Sequence, residues 1–216
     1  MKISMSKFPA IAAAAVAALI CSQAHASTIT WTFLENGNNL DLGPVSTFVE
    51  GGYSITAYGF ADGAPATASD LFSKFTSGDP HETGLGLVRD AGADHEIDTH
   101  HFVQLDSMIS PPAVIGAVGL GSIQLHENAA VYGSNTLGVL GTWLTTLSAD
   151  GSFDLSSFAG TYRYFGVTDI GTTPDANTLI TSLSATVKTP DGGTTALLLG
   201  FGLLGVGALA RRFRIG

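Results

Sequence analysis

From Ser27 the chain alternates apolar and polar positions, with Ile29, Trp31 and Phe33 on one side and Thr28, Thr30 and Thr32 on the other. A period of two built from aromatic and β-branched residues predicts a half-buried strand. Asn36-Gly37 then supplies the positive φ of a tight turn, and residues 53–60 repeat the strand pattern after Gly51-Gly52. The same pattern predicts strands over 84–89, 101–106, 114–120, 128–132, 161–167 and 178–187. Between them lie turn and loop signals: Asp62-Gly63, Ser77-Gly78-Asp79-Pro80, Ser110-Pro111-Pro112 and Asp150-Gly151. One helix is predicted over 68–75, because Ser69 can cap it and Leu71, Phe72 and Phe75 fall on one helical face. Many short strands separated by turns point to an all-β fold, an antiparallel β-sandwich or jelly-roll-like domain.

The two ends break this pattern. Lys2 and Lys7 precede an apolar run over 8–20, and Ala24-His25-Ala26 follows as a small-x-small sequence. That order of charge, short apolar core and small residues is a secretory signal, with signal peptidase cutting after Ala26 to start the mature chain at Ser27. The only cysteine, Cys21, leaves with residues 1–26, so the exported chain is expected to have no disulfide. At the other end Thr189-Pro190-Asp191-Gly192-Gly193 leads into residues 194–210, which carry no charge, and then into Arg211-Arg212-Phe213-Arg214. Seventeen helical residues reach roughly 25 Å, enough for a single transmembrane helix in a thin bilayer. Arginines after the apolar run stay cytoplasmic and leave the preceding domain outside.

Charge sharpens the division. The 216 residues carry a net charge of −9, but all 18 acids lie within 27–193, against only Lys74, Arg89, Arg163 and Lys188 there, which leaves −14 for the middle. An acidic, cysteine-free domain of this size does not bind nucleic acid unaided. It is long enough to bury a sizeable core without staples.

The tail, a short Pro-containing motif followed by one apolar helix and a terminal Arg cluster, resembles the PEP-CTERM sorting signal of Gram-negative bacteria, and within it the VPDSG-CTERM variant. Pro190 and Asp191 match; Thr189 stands where the family usually has Val, and Gly192 where it has Ser or Gly. The resemblance implies export through the Sec machinery, transient inner-membrane anchoring, and recognition by exosortase, a transpeptidase-like membrane protease that removes the tail. The protein would then reach the cell surface or the extracellular matrix. The middle also resembles ectodomains that precede such tails, in Gly84-Leu85-Gly86-Leu87, Glu96-Ile97-Asp98 and Arg163-Tyr164-Phe165-Gly166-Val167; those ectodomains carry no known activity. The chain therefore divides into a signal peptide (1–26), an acidic β-sandwich ectodomain (27–188) and a sorting tail (189–216).

Candidate chemistry concentrates in residues 89–101, where four carboxylates and three histidines fall together. A zinc-protease motif needs two histidines four apart on a helix; His95 and His100 are five apart, about 140° away from sharing a face. As a strand, Glu96, Asp98 and His100 share one face, and with Asp94 they form a candidate calcium set. No nucleophile elbow or phosphate-binding loop is present, and Gly119-Leu120-Gly121-Ser122 lacks the rest of a dinucleotide fingerprint. The expected role is structural or binding rather than enzymatic, with no cofactor beyond calcium. Two alternatives stand beside it. A saccharide-binding module would use Trp143, in the Gly-rich run 138–143, to stack on extracellular polysaccharide. A polysaccharide hydrolase would need paired carboxylates such as Glu96 and Asp98 about 5 to 9.5 Å apart across a cleft.

Overall fold

The structure is a computed structural model that describes residues 26–34, 39–62, 65–88, 94–172, 176–188 and 200–203. The chain divides into two units: Thr28–Val187, and Met1–Ser27 together with Lys188–Gly216. In the second unit residues 200–203 are helical.

Among the described residues there are fifteen strands. The first five are β1 (Ala26–Trp31), β2 (Leu40–Gly43), β3 (Val45–Glu50), β4 (Tyr53–Ala61) and β5 (Thr67–Ala68). The next five are β6 (Leu71–Lys74), β7 (Gly84–Leu87), β8 (Ile97–Asp98), β9 (His101–Asp106) and β10 (Val114–Gly121). The last are β11 (Ala129–Ser134), β12 (Thr142–Leu147), β13 (Gly151–Asp154), β14 (Tyr164–Asp169) and β15 (Asn177–Lys188). They form two antiparallel sheets. One runs β13-β10-β15-β7-β6-β2, with β1 and β8 also pairing β15; the other runs β12-β11-β14-β9-β4-β3, with β5 on β4.

The core is where alternating residues of the two sheets meet. Leu85, Leu87, Ile115, Val118, Ile180 and Leu183 come from the first sheet, and Ile55, Val103, Leu105, Val131, Phe165 and Val167 from the second, all buried in one cluster. The strands predicted from alternation are present, most within one or two residues of their expected bounds. The strand expected over 161–167 starts three residues later, at Tyr164. The expected Asn36-Gly37 turn falls outside the described residues.

The helix predicted over 68–75 is not there: Thr67–Ala68 and Leu71–Lys74 are strands. Leu71, Phe72 and Phe75 satisfy a helical face, but tertiary partners select extension. Leu71 and Ser73 turn inward, fully buried, and the Ser73 hydroxyl donates to the Phe33 carbonyl at 3.1 Å. Phe72 turns outward and stacks on His95, ring centroids 4.0 Å apart.

Part of each sheet's outer face is covered. His95 and Glu96 lie against Gly86 of β7, while residues 138–141 lie against Phe60, Gly133 and Gly166 of the second sheet. There Gln104, fully buried, donates to the Val139 carbonyl and accepts from the Gly138 amide, each at 2.8 Å.

Candidate functional site

Lys74 ends β6 with its ammonium turned toward the covering segment. The Lys74 Nζ bonds Glu82 Oε2 at 3.0 Å and also bonds Glu96 Oε1. The Ser122 hydroxyl, just past β10, lies 2.8 Å from Glu82 Oε1 and 2.9 Å from Glu96 Oε2. Glu96 is 2% exposed, and the Lys74 side chain 14%. The covering segment comes this close because residue 86 is glycine: a Cβ there would stand 2.0 Å from the His95 carbonyl oxygen. His95 itself adopts a φ of +66°, which turns the chain so that Glu96 faces Lys74.

Burial divides the charges within this group. It pushes the Glu96 carboxyl up to about 8, although hydrogen bonds from Lys74 and Ser122 pull the other way. Burial also opposes ionisation of Glu82, but bonds from Lys74, Ser122 and Glu96 outweigh it and hold that carboxyl below the usual range. Lys74 is disfavoured by burial too, yet its two glutamate partners raise it above an ordinary lysine. These directions favour a lysine ammonium and a Glu82 carboxylate, and push Glu96 towards its neutral acid.

The four predicted calcium ligands are dispersed by these contacts. Glu96 faces Lys74. The Asp98 carboxylate accepts from the His100 amide and lies 2.7 Å from His101 Nδ1. Asp94 accepts from the Asn177 amide group at 2.7 Å, and the His100 side chain is exposed in a turn. The strand expected to align them is only Ile97–Asp98. Among the described residues no group of three or more His, Cys, Asp or Glu is arranged to hold a metal ion.

A second acidic neighbourhood lies at the ends of β14 and β15. Asp169 is buried; one oxygen accepts from the Gly171 amide and the other has no hydrogen-bond partner among the described residues. Burial, with Glu127 and Asp98 nearby, pushes its carboxyl up to about 6.

Trp143 is 58% exposed on β12, an edge strand, while its neighbour Leu144 packs against the core. It pairs across to Tyr132, and its indole N–H donates to the Thr146 hydroxyl at 3.0 Å. A depression lined by Trp31, Phe33, Phe48 and Glu50 lies instead by β3, the opposite edge of that sheet. Neither Glu96 nor Asp98 lines it.

Sequence reasoning missed Lys74, Glu82 and Ser122. A signal was present: Lys74 is one of only four basic residues in the acidic middle, and it closes the apolar run Leu71-Phe72.

The expected cleavage residues Ala24, Ala26 and Ser27 straddle the edge of the described residues, with β1 beginning at Ala26. The sorting motif 189–193 and Arg211, Arg212 and Arg214 lie outside them. So does the transmembrane helix expected over 194–210, apart from 200–203; among the described residues no helix is long and apolar enough to cross a membrane. No curated protein and no solved structure matched the chain. The family model described as the VPDSG-CTERM motif matches residues 190–213, two residues beyond the end of β15 at Lys188. The chain thus carries a VPDSG-CTERM motif, the mark of a sorting-domain protein.

Proposed function

We propose that this is an exported protein that exosortase sorts through its tail, leaving the acidic β-sandwich at the cell surface or in the extracellular matrix as a non-enzymatic structural or binding component. The carrying observation is one of position. The sandwich closes with β15, which ends at Lys188, and the matched motif begins at Pro190. A cut at the motif therefore leaves all the described strands, β1 to β15, on one side of the break. The net negative charge favours solubility and bridging through divalent ions to anionic polymer.

The test is the intact mass of the protein recovered from its host, with membrane and secreted fractions kept apart. A secreted species beginning at Ser27 and ending near Pro190 is expected. A species that retains 194–216 and occurs only in membranes would overturn exosortase processing.

A second reading, a saccharide-binding module, is favoured by the exposure of Trp143. An indole face beside Tyr132 on an uncharged edge strand suits stacking against a sugar ring. The hydrolase alternative gains no such support, because Glu96 and Asp98 are bonded to Lys74 and His101.

A further inference from the structure

We propose that Lys74 and Glu96 are the reactants of an intramolecular amide bond, with Glu82 as the proton-transfer residue and Ser122 as the oxyanion donor. Four placements argue for it. The amine and the carboxyl are in direct contact, on segments 22 residues apart that are each held by the fold. Both are withdrawn from water, Glu96 almost completely. A second carboxylate touches the reacting nitrogen at 3.0 Å. A hydroxyl lies 2.9 Å from Glu96 Oε2, where negative charge collects when the carbonyl is attacked.

The step balances without an external reagent. Glu82 Oε2 takes one proton from the Lys74 ammonium. The freed nitrogen lone pair attacks the Cδ of protonated Glu96, forming the C–N bond, and the carbonyl electron pair moves onto the oxygen beside Ser122. Glu82 then gives its proton to the departing hydroxyl and takes the second N–H proton. The C–O bond breaks, the carbonyl re-forms and water leaves. The products are a neutral amide, one water and a protonated Glu82. Nothing is oxidised or reduced.

Amide formation from an amine and an acid is unfavourable in water chiefly because both reactants are ionised and solvated. Here burial favours Glu96 as the neutral acid and removes water from both groups, while Lys74 stays an ammonium until Glu82 takes its proton. Charges held out of water are costly, and conversion to an amide removes the pair. Fixed contact also replaces a bimolecular encounter with an effective molarity on the order of 10⁵ M or more. The bond would tie β6 to the segment covering β7, a covalent clamp in a domain whose described residues contain no cysteine.

The full chain is purified, denatured and weighed, then digested with trypsin and sequenced by tandem mass spectrometry. The expected result is a mass one water below that of its sequence, no cleavage after Lys74, and a branched peptide joining Lys74 to Glu96. Full tryptic cleavage after Lys74 with no branched peptide would overturn the proposal. So would a water lost elsewhere, as at Asp150-Gly151, without the branch. Lys74→Arg, which keeps the cation, is expected to have the full mass of its own sequence. Folded Glu82→Gln is expected to stay unbranched; a branched Glu82→Gln protein would remove Glu82 from the reaction.

Discussion

The carbonyl oxygen of His95 occupies the space that a side chain at Gly86 would need. A Cβ on residue 86 would come within 2.0 Å of that oxygen and 2.9 Å of the Glu96 Cα, both backbone atoms. The segment carrying Glu96 therefore lies in its place by leave of a missing methyl group. Gly86→Ala is expected to lift it, cost about 2–4 kcal/mol and separate Glu96 from Lys74. At Gly78, by contrast, nothing stands within 4 Å of an added methyl and only the positive φ of 85° resists substitution, so Gly78→Ala is expected to cost about 1 kcal/mol. Chemical denaturation of the two variants checks the difference, and equal losses would refute the close-approach argument.

Asp169 gives stability a pH dependence of definite sign. Its carboxyl sits at about 6 in the folded chain, above the ordinary aspartate value, so the folded state holds the proton more tightly than the unfolded one. The resulting stability is complete below the ordinary aspartate range and is lost as pH rises through about 6. Glu127, raised by burial, acts in the same direction. Asp169→Asn keeps the acceptor for the Gly171 amide and abolishes the ionisation. It is expected to raise stability at pH 8 by no more than about 3 kcal/mol and to flatten the profile between pH 4 and 7. Thermal melting across that range is the measurement; a variant less stable than the parent at pH 8 would contradict the assignment. Glu96 adds a dependence of the same sign near pH 8 only in chains that lack the amide.

Trp143 separates binding from folding. Its side chain is exposed and its indole N–H bonds only a neighbouring hydroxyl on its own strand. Trp143→Ala is expected to change stability by less than about 0.5 kcal/mol. Under the saccharide reading the same variant loses retention on the host's extracellular polysaccharide. Retention equal to the parent would remove that reading while leaving the sorting proposal intact.

Calcium provides a further test. Since Glu96 faces Lys74, Asp98 faces His101 and Asp94 faces Asn177, these residues are expected to give no shared calcium site. Millimolar calcium should leave the melting temperature of the full chain unchanged. A calcium-dependent rise that is abolished by Glu96→Gln would show that the carboxyl leaves Lys74 to take a metal.

Apolar and β-branched runs of six or more residues between turn signals were enough to find β4, β9, β10 and β15, although Phe60 and Phe102 put large rings on the face opposite Ile55 and Val103. Pattern failed at β6, where three apolar residues fit a helical face as well as a strand. The short strands β2 and β13 have too few positions for any period to show, and the strand expected around 96–100 shrinks to Ile97–Asp98. Edge strand β12 was missed as well, since Thr142 to Leu147 holds threonines on both faces and a bulge opposite Val131 and Tyr132 interrupts its register.

Local order along the chain determined the all-β class, the acidic middle and the tail motif, since each is a property of neighbouring residues and their charge or period. Tertiary structure alone decided what the polar residues of 94–101 do. Glu96, Asp98 and His100 are close in sequence, yet their partners come from β6, from the start of β9 and from solvent. A carboxylate goes where a donor or cation lies within hydrogen-bond reach, and folding decides which strands bring one.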